Sequence, residues 1–233
     1  MNVCLIPARG GSKRIPRKNI KNFFGQPMIA YSIKAALKSE CFDQVIVSTD
    51  DAEIVEVAKY FGASVPFVRP DELAHDYAGT LPVIKHAIEW FNVQGQSPSE
   101  VCCLYATAPF VQADDIRKAY KQMKQEQAEY CFTATSFAFP IQRAIKVTAE
   151  NRIEMFYPEH FETRSQDLEE SYHDAGQFYW GKAEAFKQQK TLFSKISTPY
   201  ILPRQLVQDI DTPEDWKRAE LMYQALKKSG EID

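Results

Sequence analysis

The sequence predicts an α/β fold in three layers, with helices on both faces of a mixed, mainly parallel sheet. Short apolar runs alternate with amphipathic helical segments through the first 136 residues. Strands that alternate with helices form right-handed βαβ units, which place successive strands parallel. The 233 residues are 45% hydrophobic and contain no linker-like stretch. We therefore expect a single domain over residues 1–233, with one large core.

The N-terminal half of the chain shows this alternation in order. Residues 2–8 form an apolar run that ends at glycines, as a buried strand does when it enters a loop. A helix is predicted over residues 26–39, because Ile29, Ile33 and Leu37 recur every four residues. The next strand, helix and strand are expected at residues 44–49, 50–62 and 63–68. The later helices and strands are expected at residues 80–91, 100–105, 113–127 and 130–135.

The regular alternation stops after Ser136. Residues 137–181 contain short strand-like pieces around a long polar stretch, which predicts an inserted arm of strands and loops. Three aromatic residues of this arm, Phe156, Tyr157 and Phe161, are expected to be exposed. They indicate that the arm pairs with another subunit.

The C-terminal part of the chain returns to regular structure. A short helix at residues 182–189 precedes a strand at residues 198–202. The last helix is predicted to begin at Pro213 with Thr212 as its N-cap, because this pair followed by Asp215 in the first turn is a typical helix start.

Positive charge is concentrated near the N-terminus, although the whole chain carries a formal charge of −3. Residues 1–39 hold eight of the 28 Lys and Arg residues and none of the 31 acidic residues. Such a local basic segment favours a small anionic ligand over the long basic surface that binds nucleic acid.

Other sequence features limit the class of protein. No apolar run is long enough to cross a membrane, and the first residues lack a secretory signal pattern, so we expect a cytoplasmic protein with no membrane partner. Five cysteines without C-x-x-C spacing predict reduced thiols, most of them buried, rather than disulfides or a zinc site.

The basic segment ARGGSKRIPRKN, residues 8–19, directly follows the first predicted strand. In open α/β sheets this position commonly binds phosphate. Glycine N–H groups can approach an anion, a hydroxyl can donate to it, and cations can offset the charge of a triphosphate. In this segment these groups belong to Gly10, Gly11, Ser12, Arg9 and Lys13. The spacing fits neither a Walker A loop nor a dinucleotide-binding loop, and a solvated basic loop is the alternative.

The segment QDIDT before the last helix carries a second candidate site. Residues two apart in an extended segment share a face, so Asp209 and Asp211 are expected side by side while Ile210 points to the core. Two carboxylates suit Mg²⁺, which prefers oxygen ligands and keeps several of its waters. The alternative is that Asp211 or Thr212 only caps the helix.

Five motifs occur in the order IPARGGSKRIPRKNI, VIVSTDD, RPDELAHDYAGT, LYATAPF and QDIDTPED. Together they resemble the cytidylyltransferases that make CMP-activated nonulosonic acids, over nearly the whole chain. The resemblance implies a Rossmann-like nucleotidyltransferase fold, Mg²⁺ as cofactor, and transfer of CMP from CTP to the anomeric hydroxyl of a nine-carbon 2-keto sugar acid with release of pyrophosphate.

The segment YHDAGQFYWG is most similar to family members that act on pseudaminic acid, for glycosylation of surface glycans or flagellin. The same reaction on N-acetylneuraminic, legionaminic or 3-deoxy-octulosonic acid is the alternative. From another class, a non-catalytic nucleotide-binding module is possible, although the aspartate pair argues against it. RNA binding is disfavoured, since residues 8–22 contain no aromatic side chain for stacking.

The family motifs imply nucleotide-binding roles for individual residues. The phosphates are assigned to Arg9, Gly10, Ser12, Lys13, Lys18 and Asn19. Lys18 is also expected to be catalytic, together with Asp209 and Asp211. Arg14 and Arg17 are secondary candidates, with solvation as the alternative.

The cytosine pocket is assigned to Arg69 and to groups near Ala78 and Thr80. For Arg69 the alternative is a surface ion pair with Asp71 or Glu72. Thr107 is retained from LYATAPF, where sialic acid synthetases tend to carry Gln-Pro-Thr-Ser-Pro. The glutamine contact of those enzymes therefore cannot be transferred to this chain.

The acid sugar needs a cation for its carboxylate and polar groups for its hydroxyl and acyl groups. The resemblance assigns this role to residues in and after the arm, which are Arg143, Arg164, Asp174, Gln177 and Tyr179. It also implies a homodimer in which the arm of one subunit reaches its neighbour.

Overall fold

The structure is a computed structural model that describes residues 1–75 and 77–232. Six α-helices occur in these residues: α1 (Met28–Ser39), α2 (Ala52–Tyr60), α3 (Thr80–Val93), α4 (Ala113–Gln125), α5 (Ala183–Lys187) and α6 (Pro213–Ser229). The first five strands in them are β1 (Asn2–Pro7), β2 (Asn22–Phe23), β3 (Gln26–Pro27), β4 (Gln44–Ser48) and β5 (Glu100–Leu104). The later strands are β6 (Tyr130–Ser136), β7 (Ile145–Val147), β8 (Ile153–Met155), β9 (Tyr172–Lys182) and β10 (Ser197–Ile201).

The central sheet has six strands in the order β10-β6-β9-β5-β1-β4. Strand β1 pairs parallel with both β4 and β5, and β10 pairs parallel with β6. Strand β9 runs antiparallel between β5 and β6. The predicted mixed, mainly parallel sheet is therefore confirmed, and the carboxyl ends of β1, β4 and β5 share one edge.

Helices cover both faces of the sheet, which confirms the three-layer prediction. Alternate side chains of β1 point to opposite faces, with Cys4 and Ile6 on one side and Val3 and Leu5 on the other. Helices α1, α2 and α4 pack on the Cys4 side, whereas α3 and α5 pack on the Val3 side. A third apolar cluster joins α6 to the segment around β2 and the start of α1.

The structure differs from two of these expectations. Residues 63–68 form no continuous strand, and only Ser64 and Val68 make isolated bridges to the β4 region. Pro66 lies between them and has no N–H to donate to a ladder. The predicted arm also ends earlier than residue 181, because β9 belongs to the central sheet. The two-stranded sheet of β7 and β8 remains outside the central sheet.

The beginning of α6 is fixed by a capping box, as predicted. The Thr212 hydroxyl accepts from the Asp215 N–H at 3.2 Å, and the Asp215 carboxylate accepts from the Thr212 N–H at 2.8 Å. Pro213 occupies the first helical position, where no N–H is needed.

Four of the five thiols are buried, and none is in a disulfide within residues 1–75 and 77–232. Burial raises the pKa of Cys103 to about 12, and the pKa of Cys4 is raised for the same reason. None of the helices in that part of the chain combines the length and apolar character needed to cross a membrane.

Candidate active site

The basic loop leaves the carboxyl end of β1 and closes at a turn of 3-10 helix, Lys18–Ile20. The side-chain amide of Asn19 is buried and donates to the carbonyl oxygen of Arg9 at 2.9 Å. This hydrogen bond joins the beginning of the loop to its end. The residues between them are therefore held together beside the sheet edge.

A cavity of about 240 Å³, which we name the anion cavity, opens at the carboxyl end of β1. Segments distant in sequence line it: the basic loop, the start of α3, the residues after β5 and the residues before α6. The predicted site residues in its lining are Arg9, Ser12, Lys13, Lys18, Asn19, Arg69, Ala78, Thr80, Thr107 and Asp211. Gly10 and Asp209 lie outside this lining.

Asp211 joins the C-terminal segment to the basic loop. The Lys18 ammonium group donates to Asp211 Oδ1 at 3.1 Å and to the Ile210 carbonyl oxygen at 2.6 Å. A guanidinium nitrogen of Arg14 lies 2.7 Å from Asp211 Oδ2. The Ile210 side chain is 1% exposed, as expected for a residue that anchors this segment in the core.

Asp209 lies next to this network. Its pKa is raised by desolvation and then by the negative charge of Asp211. The carboxylate of Asp211 takes no part in the α6 cap, which is formed by Thr212 and Asp215. Within the described residues no group of three or more His, Cys, Asp or Glu side chains could hold a metal ion. The metal role of Asp209 and Asp211 stays a prediction.

Arg17 points away from the anion cavity. Its guanidinium group donates to both carboxylate oxygens of Asp51, to one of them at 2.9 Å, and also pairs with Glu53. Asp51 caps α2 by accepting from the Ile54 N–H at 3.0 Å. The Arg17 hydrogen bond is the main reason that the pKa of Asp51 is lowered. Arg17 therefore ties the basic loop to the start of α2.

Arg69 is 4% exposed, which excludes the alternative of a surface ion pair with Asp71 or Glu72. Its Nε donates to the Ser48 hydroxyl at 3.0 Å, and Nη2 donates to the Ser48 carbonyl oxygen at 2.5 Å. Burial lowers the pKa of Arg69 to about 10. Ser48 is the last residue of β4, so the end of this strand positions a buried cation at the cavity wall.

A second cavity of about 470 Å³ lies beside the first, and we name it the apolar cavity. Thr80 and Tyr105 line both cavities. Asp174 and Tyr179, which were assigned to the acid sugar, line the apolar cavity. Most of its other walls are the apolar side chains Leu81, Ile84, Phe186, Leu192 and Phe193.

Three residues assigned to the acid sugar lie outside both linings. The guanidinium group of Arg143 donates to the Thr163 carbonyl oxygen, and that of Arg164 pairs with Asp167 at 2.7 Å. Both arginines lie in the arm. Gln177 is buried, and its side-chain amide donates to the Leu206 carbonyl oxygen, so it fixes the backbone between β10 and α6.

Sequence reasoning missed Tyr105 and the carboxylates that hold the loop. Asp50 Oδ1 accepts from the Gly10 N–H at 3.0 Å, next to the bond between Arg17 and Asp51. The motif VIVSTDD ends at the carboxyl end of a strand that neighbours β1, so its acids could have been paired with the loop. Tyr105 gave a weaker signal. The sequence showed only that this tyrosine stands where sialic acid synthetases tend to carry glutamine.

The mainly parallel sheet and the cation-lined cavity at the carboxyl ends of its strands, where open α/β sheets bind their ligands, agree with a Rossmann-like nucleotidyltransferase fold. A solved structure with this fold is a CMP:2-keto-3-deoxy-manno-octonic acid synthetase in complex with CTP. It matches with a TM-score of 0.67 and 18% identity, covering 97% of this chain and 99% of that one.

The chain belongs to the cytidylyltransferase family, whose model matches residues 3–208. It is 48% identical to a pseudaminic acid cytidylyltransferase of Campylobacter jejuni, over 98% of this chain and 99% of the relative. It is 31% identical to a CMP-N,N'-diacetyllegionaminic acid synthase of Legionella pneumophila, over 95% and 96% of the two chains.

Proposed function

We propose that the protein transfers CMP from CTP to the anomeric hydroxyl of pseudaminic acid, which yields CMP-pseudaminic acid and pyrophosphate. The observation that carries this proposal is the convergence of the basic loop with Asp211 on one cavity. The sugar assignment is supported by the activity named for the Campylobacter relative, which is similar over its whole length.

CTP would occupy the anion cavity. Arg9, Ser12 and Lys13 line it with two cations and a hydroxyl, which can bind the oxygens of a triphosphate. Lys18 and Asn19 lie at the closing turn of the loop. We assign the cytosine ring to Arg69, Ala78 and Thr107, which line the same cavity. Thr80, the other residue predicted for the cytosine pocket, lies at the wall that this cavity shares with the apolar cavity.

The residues present fit a magnesium ion. Asp209 and Asp211 supply the hard oxygen atoms that Mg²⁺ prefers. The pKa of Asp209 is raised first by desolvation and then by the negative charge of Asp211, and a divalent cation would offset both effects. When bound, Mg²⁺ would offset the negative charge of the phosphates during transfer. Lys18 would keep the Asp211 carboxylate in place through its bonds to Oδ1 and to the Ile210 carbonyl oxygen.

The reaction would be an in-line attack of the sugar hydroxyl on the α-phosphorus of CTP. The bond from this oxygen to phosphorus forms as the bond to the departing pyrophosphate breaks. Arg9 and Lys13 would stabilise the charge that develops on the phosphate oxygens, and the Ser12 hydroxyl would help to hold these oxygens in position. Most of the rate enhancement would come from positioning and electrostatics.

The acid sugar would bind in the apolar cavity, against Asp174 and Tyr179. Neither of the two arm arginines assigned to the sugar carboxylate lines the cavities of its own chain. We therefore propose a homodimer in which the arm of one subunit brings Arg143 and Arg164 to the site of the other. We also propose that the dimer is cytoplasmic. Exposed apolar side chains of the arm support this pairing, among them Phe139, Val147, Ile153 and Phe161.

The second candidate is the same transfer to a legionaminic acid, which the Legionella relative favours. A substrate panel separates the two. Purified protein is incubated with CTP, Mg²⁺ and one of four acid sugars, and the products are identified by mass. We expect CMP-pseudaminic acid to form fastest. The absence of pyrophosphate and of any CMP-sugar above a blank without enzyme would refute the proposed function.

The roles of the aspartates are tested separately. Asp209→Asn and Asp211→Asn should each reduce turnover at least ~100-fold, because each removes a charge that metal binding needs. Circular dichroism and thermal unfolding should show that both variants remain folded. Turnover near the wild-type rate in either variant would remove that residue from the metal site.

A further inference from the structure

The anion cavity and the apolar cavity meet at the side chains of Thr80 and Tyr105. If CTP and the acid sugar occupy these two cavities, as proposed above, the α-phosphorus and the attacking hydroxyl must meet at this shared wall. Tyr105 was not among the residues predicted from the sequence. Its position raises the question of what its hydroxyl group contributes to the transfer.

Hydroxyl groups connect this wall to a carboxylate. The Thr80 hydroxyl lies 3.1 Å from the Tyr105 hydroxyl. The Tyr105 and Tyr179 rings are 5.4 Å apart between centroids, and both side chains line the apolar cavity. The Tyr179 hydroxyl donates to Asp174 Oδ2 at 2.5 Å. Thr80, Tyr105, Tyr179 and Asp174 are thus neighbours in one row, which we name the hydroxyl chain.

The carboxylate gives this chain a direction. A carboxylate only accepts hydrogen bonds, so the Tyr179 proton points to Asp174. The Tyr179 oxygen can then accept from Tyr105, which leaves the Tyr105 oxygen as an acceptor at the wall between the cavities. The Thr80 hydroxyl lies beside this oxygen in the structure, and either of the two hydroxyl groups can donate to the other. A substrate hydroxyl that replaced Thr80 would donate to the same oxygen.

The chain is held rigidly and ends at solvent. The Tyr105 N–H donates to the Gln177 carbonyl oxygen at 2.8 Å, and its carbonyl oxygen accepts from the Ser32 hydroxyl at 2.7 Å. Tyr179 is 6% exposed. Asp174 is exposed and also accepts from the Gly176 N–H at 2.9 Å, which fixes its carboxylate. A proton that reaches Asp174 can therefore leave to water.

We propose that the hydroxyl chain removes the proton of the attacking sugar hydroxyl, with Tyr105 as the catalytic residue that touches it. As the bond from oxygen to the α-phosphorus forms and pyrophosphate leaves, the sugar hydroxyl proton moves to Tyr105. The Tyr105 proton moves to Tyr179 and the Tyr179 proton moves to Asp174. Charge changes only at the two ends of the chain, so neither tyrosine has to become a phenolate.

The test uses Tyr105→Phe, Tyr179→Phe and Asp174→Asn in the full-length protein. The rate of CMP-sugar formation in a single turnover is measured by rapid quench, so that product release does not mask the chemical step. We expect each variant to lower this rate about 100-fold, as for loss of general acid–base catalysis. CTP affinity measured by calorimetry should stay within about twofold, because the phosphate contacts are unchanged.

A double variant distinguishes a connected path from separate contacts. Tyr105→Phe combined with Tyr179→Phe should be no slower than the slower single variant, since either change interrupts the same path. Losses that multiply in the double variant would overturn the proposal. The matched control is Tyr200→Phe. The Tyr200 hydroxyl also donates to an aspartate, to Asp115 Oδ1 at 2.9 Å, but it lies outside both cavities. This control should keep the wild-type rate.

Two further results would also overturn the proposal. One is a Tyr105→Phe rate within about twofold of the wild-type rate. The other is a change confined to the KM of the sugar, because that result would assign the Tyr105 hydroxyl to substrate binding. The proposal depends on the proposed function, but the two fail differently. If the wild-type enzyme prefers another acid sugar, the sugar assignment fails and the variants are compared on that sugar. If it uses none, the proposed function itself fails.

Discussion

At the level of single residues, the five cations of the basic loop have different tasks. Arg14 and Lys18 pair with Asp211, whereas Arg17 pairs with Asp51. Arg9 and Lys13 line the anion cavity. The loop is therefore more than a cluster of phosphate ligands, because some of its charges organise the site through carboxylates. This explains how an acidic protein can keep so much positive charge in one short segment.

The two loop glycines offer a matched test of this organisation. A Cβ atom at Gly10 would lie 2.7 Å from Asp51 Oδ2, whereas one at Gly11 would have no neighbour within 4 Å. The Asp51 carboxylate cannot move away, since it binds Arg17 and caps α2. Gly10→Ala should therefore lower the free energy of unfolding by about 1–3 kcal/mol.

Gly11→Ala is the control and should change the free energy of unfolding by less than about 0.5 kcal/mol. Urea denaturation measures both variants. Calorimetry should also show weaker CTP binding by Gly10→Ala, because the displaced loop carries the proposed phosphate contacts. Equal stability of the two variants would contradict the packing of Gly10 against Asp51.

Glu129 predicts a pH dependence of stability. Hydrogen bonds from Lys182 and Lys190, both at 3.0 Å, lower the pKa of this carboxyl. A carboxyl group whose pKa is lowered by folding stabilises the folded protein at pH values above the pKa that the group has in the unfolded chain, which is about 4.3 for glutamate. This contribution is lost as the pH falls from that value through the pKa of the folded state.

We therefore expect Glu129→Gln to be less stable than wild type at pH 7, with a difference that shrinks as the pH falls below about 4. Urea denaturation from pH 3.5 to 7 measures this. Glu56→Gln, on the exposed side of α2, is the control and should parallel wild type. A stability difference for Glu129→Gln that is constant across this range would exclude the ion pairs as its cause.

At the level of secondary structure, periodic patterns predicted the helices and most strands. Helix α3 begins at Thr80, the residue predicted, and ends two residues beyond the expected end. The failures have physical reasons. Pro66 interrupts an apolar run that otherwise resembles a strand. Strand β9 has the composition of a strand, but local sequence does not specify its partners, so its insertion between β5 and β6 could not be predicted.

The capping box of α6 affects the site as well as the helix. Thr212 follows Asp211 directly, and the cap fixes the backbone between the aspartates and the helix. Thr212→Ala should lower the free energy of unfolding by about 0.5–2 kcal/mol, as for other lost N-caps. Thr212→Ser keeps the hydroxyl and should retain most of the stability. Thermal unfolding compares the variants, and equal losses in both would show that the hydroxyl is not the stabilising group.

At the level of the whole molecule, chemistry and family motifs allowed two segments near opposite ends of the sequence to be assigned to one ligand. These segments are the basic loop and the pair Asp209 and Asp211. It could not reveal the geometry that joins them. The contact between Lys18 and Asp211 depends on how α6 packs against the third apolar cluster. The hydroxyl chain was equally inaccessible. Tyr179 belongs to β9 and Tyr105 directly follows β5, and the antiparallel pairing of these two strands is set by the complete sheet.

The arm allows a test of the proposed dimer that uses two inactive variants. Asp211→Asn disables the anion cavity and leaves the arm intact. A second variant with Arg143→Ala and Arg164→Ala disables the arm and leaves the cavity intact. Both arginines lie outside the cavity linings of their own chain. They therefore contribute either to the site of a partner subunit or to no site.

When equal amounts of the two variants are mixed under conditions that exchange subunits, half of the dimers should be mixed. If the arm serves the neighbouring subunit, one site of each mixed dimer combines an intact cavity with an intact arm, and activity should recover to about one quarter of wild type. If the arm serves its own subunit, every site carries one defect and the mixture stays inactive. Initial rates of pyrophosphate release, with light scattering to verify the dimer mass, separate these outcomes. A full wild-type rate for the arm variant alone would instead remove both arginines from the site.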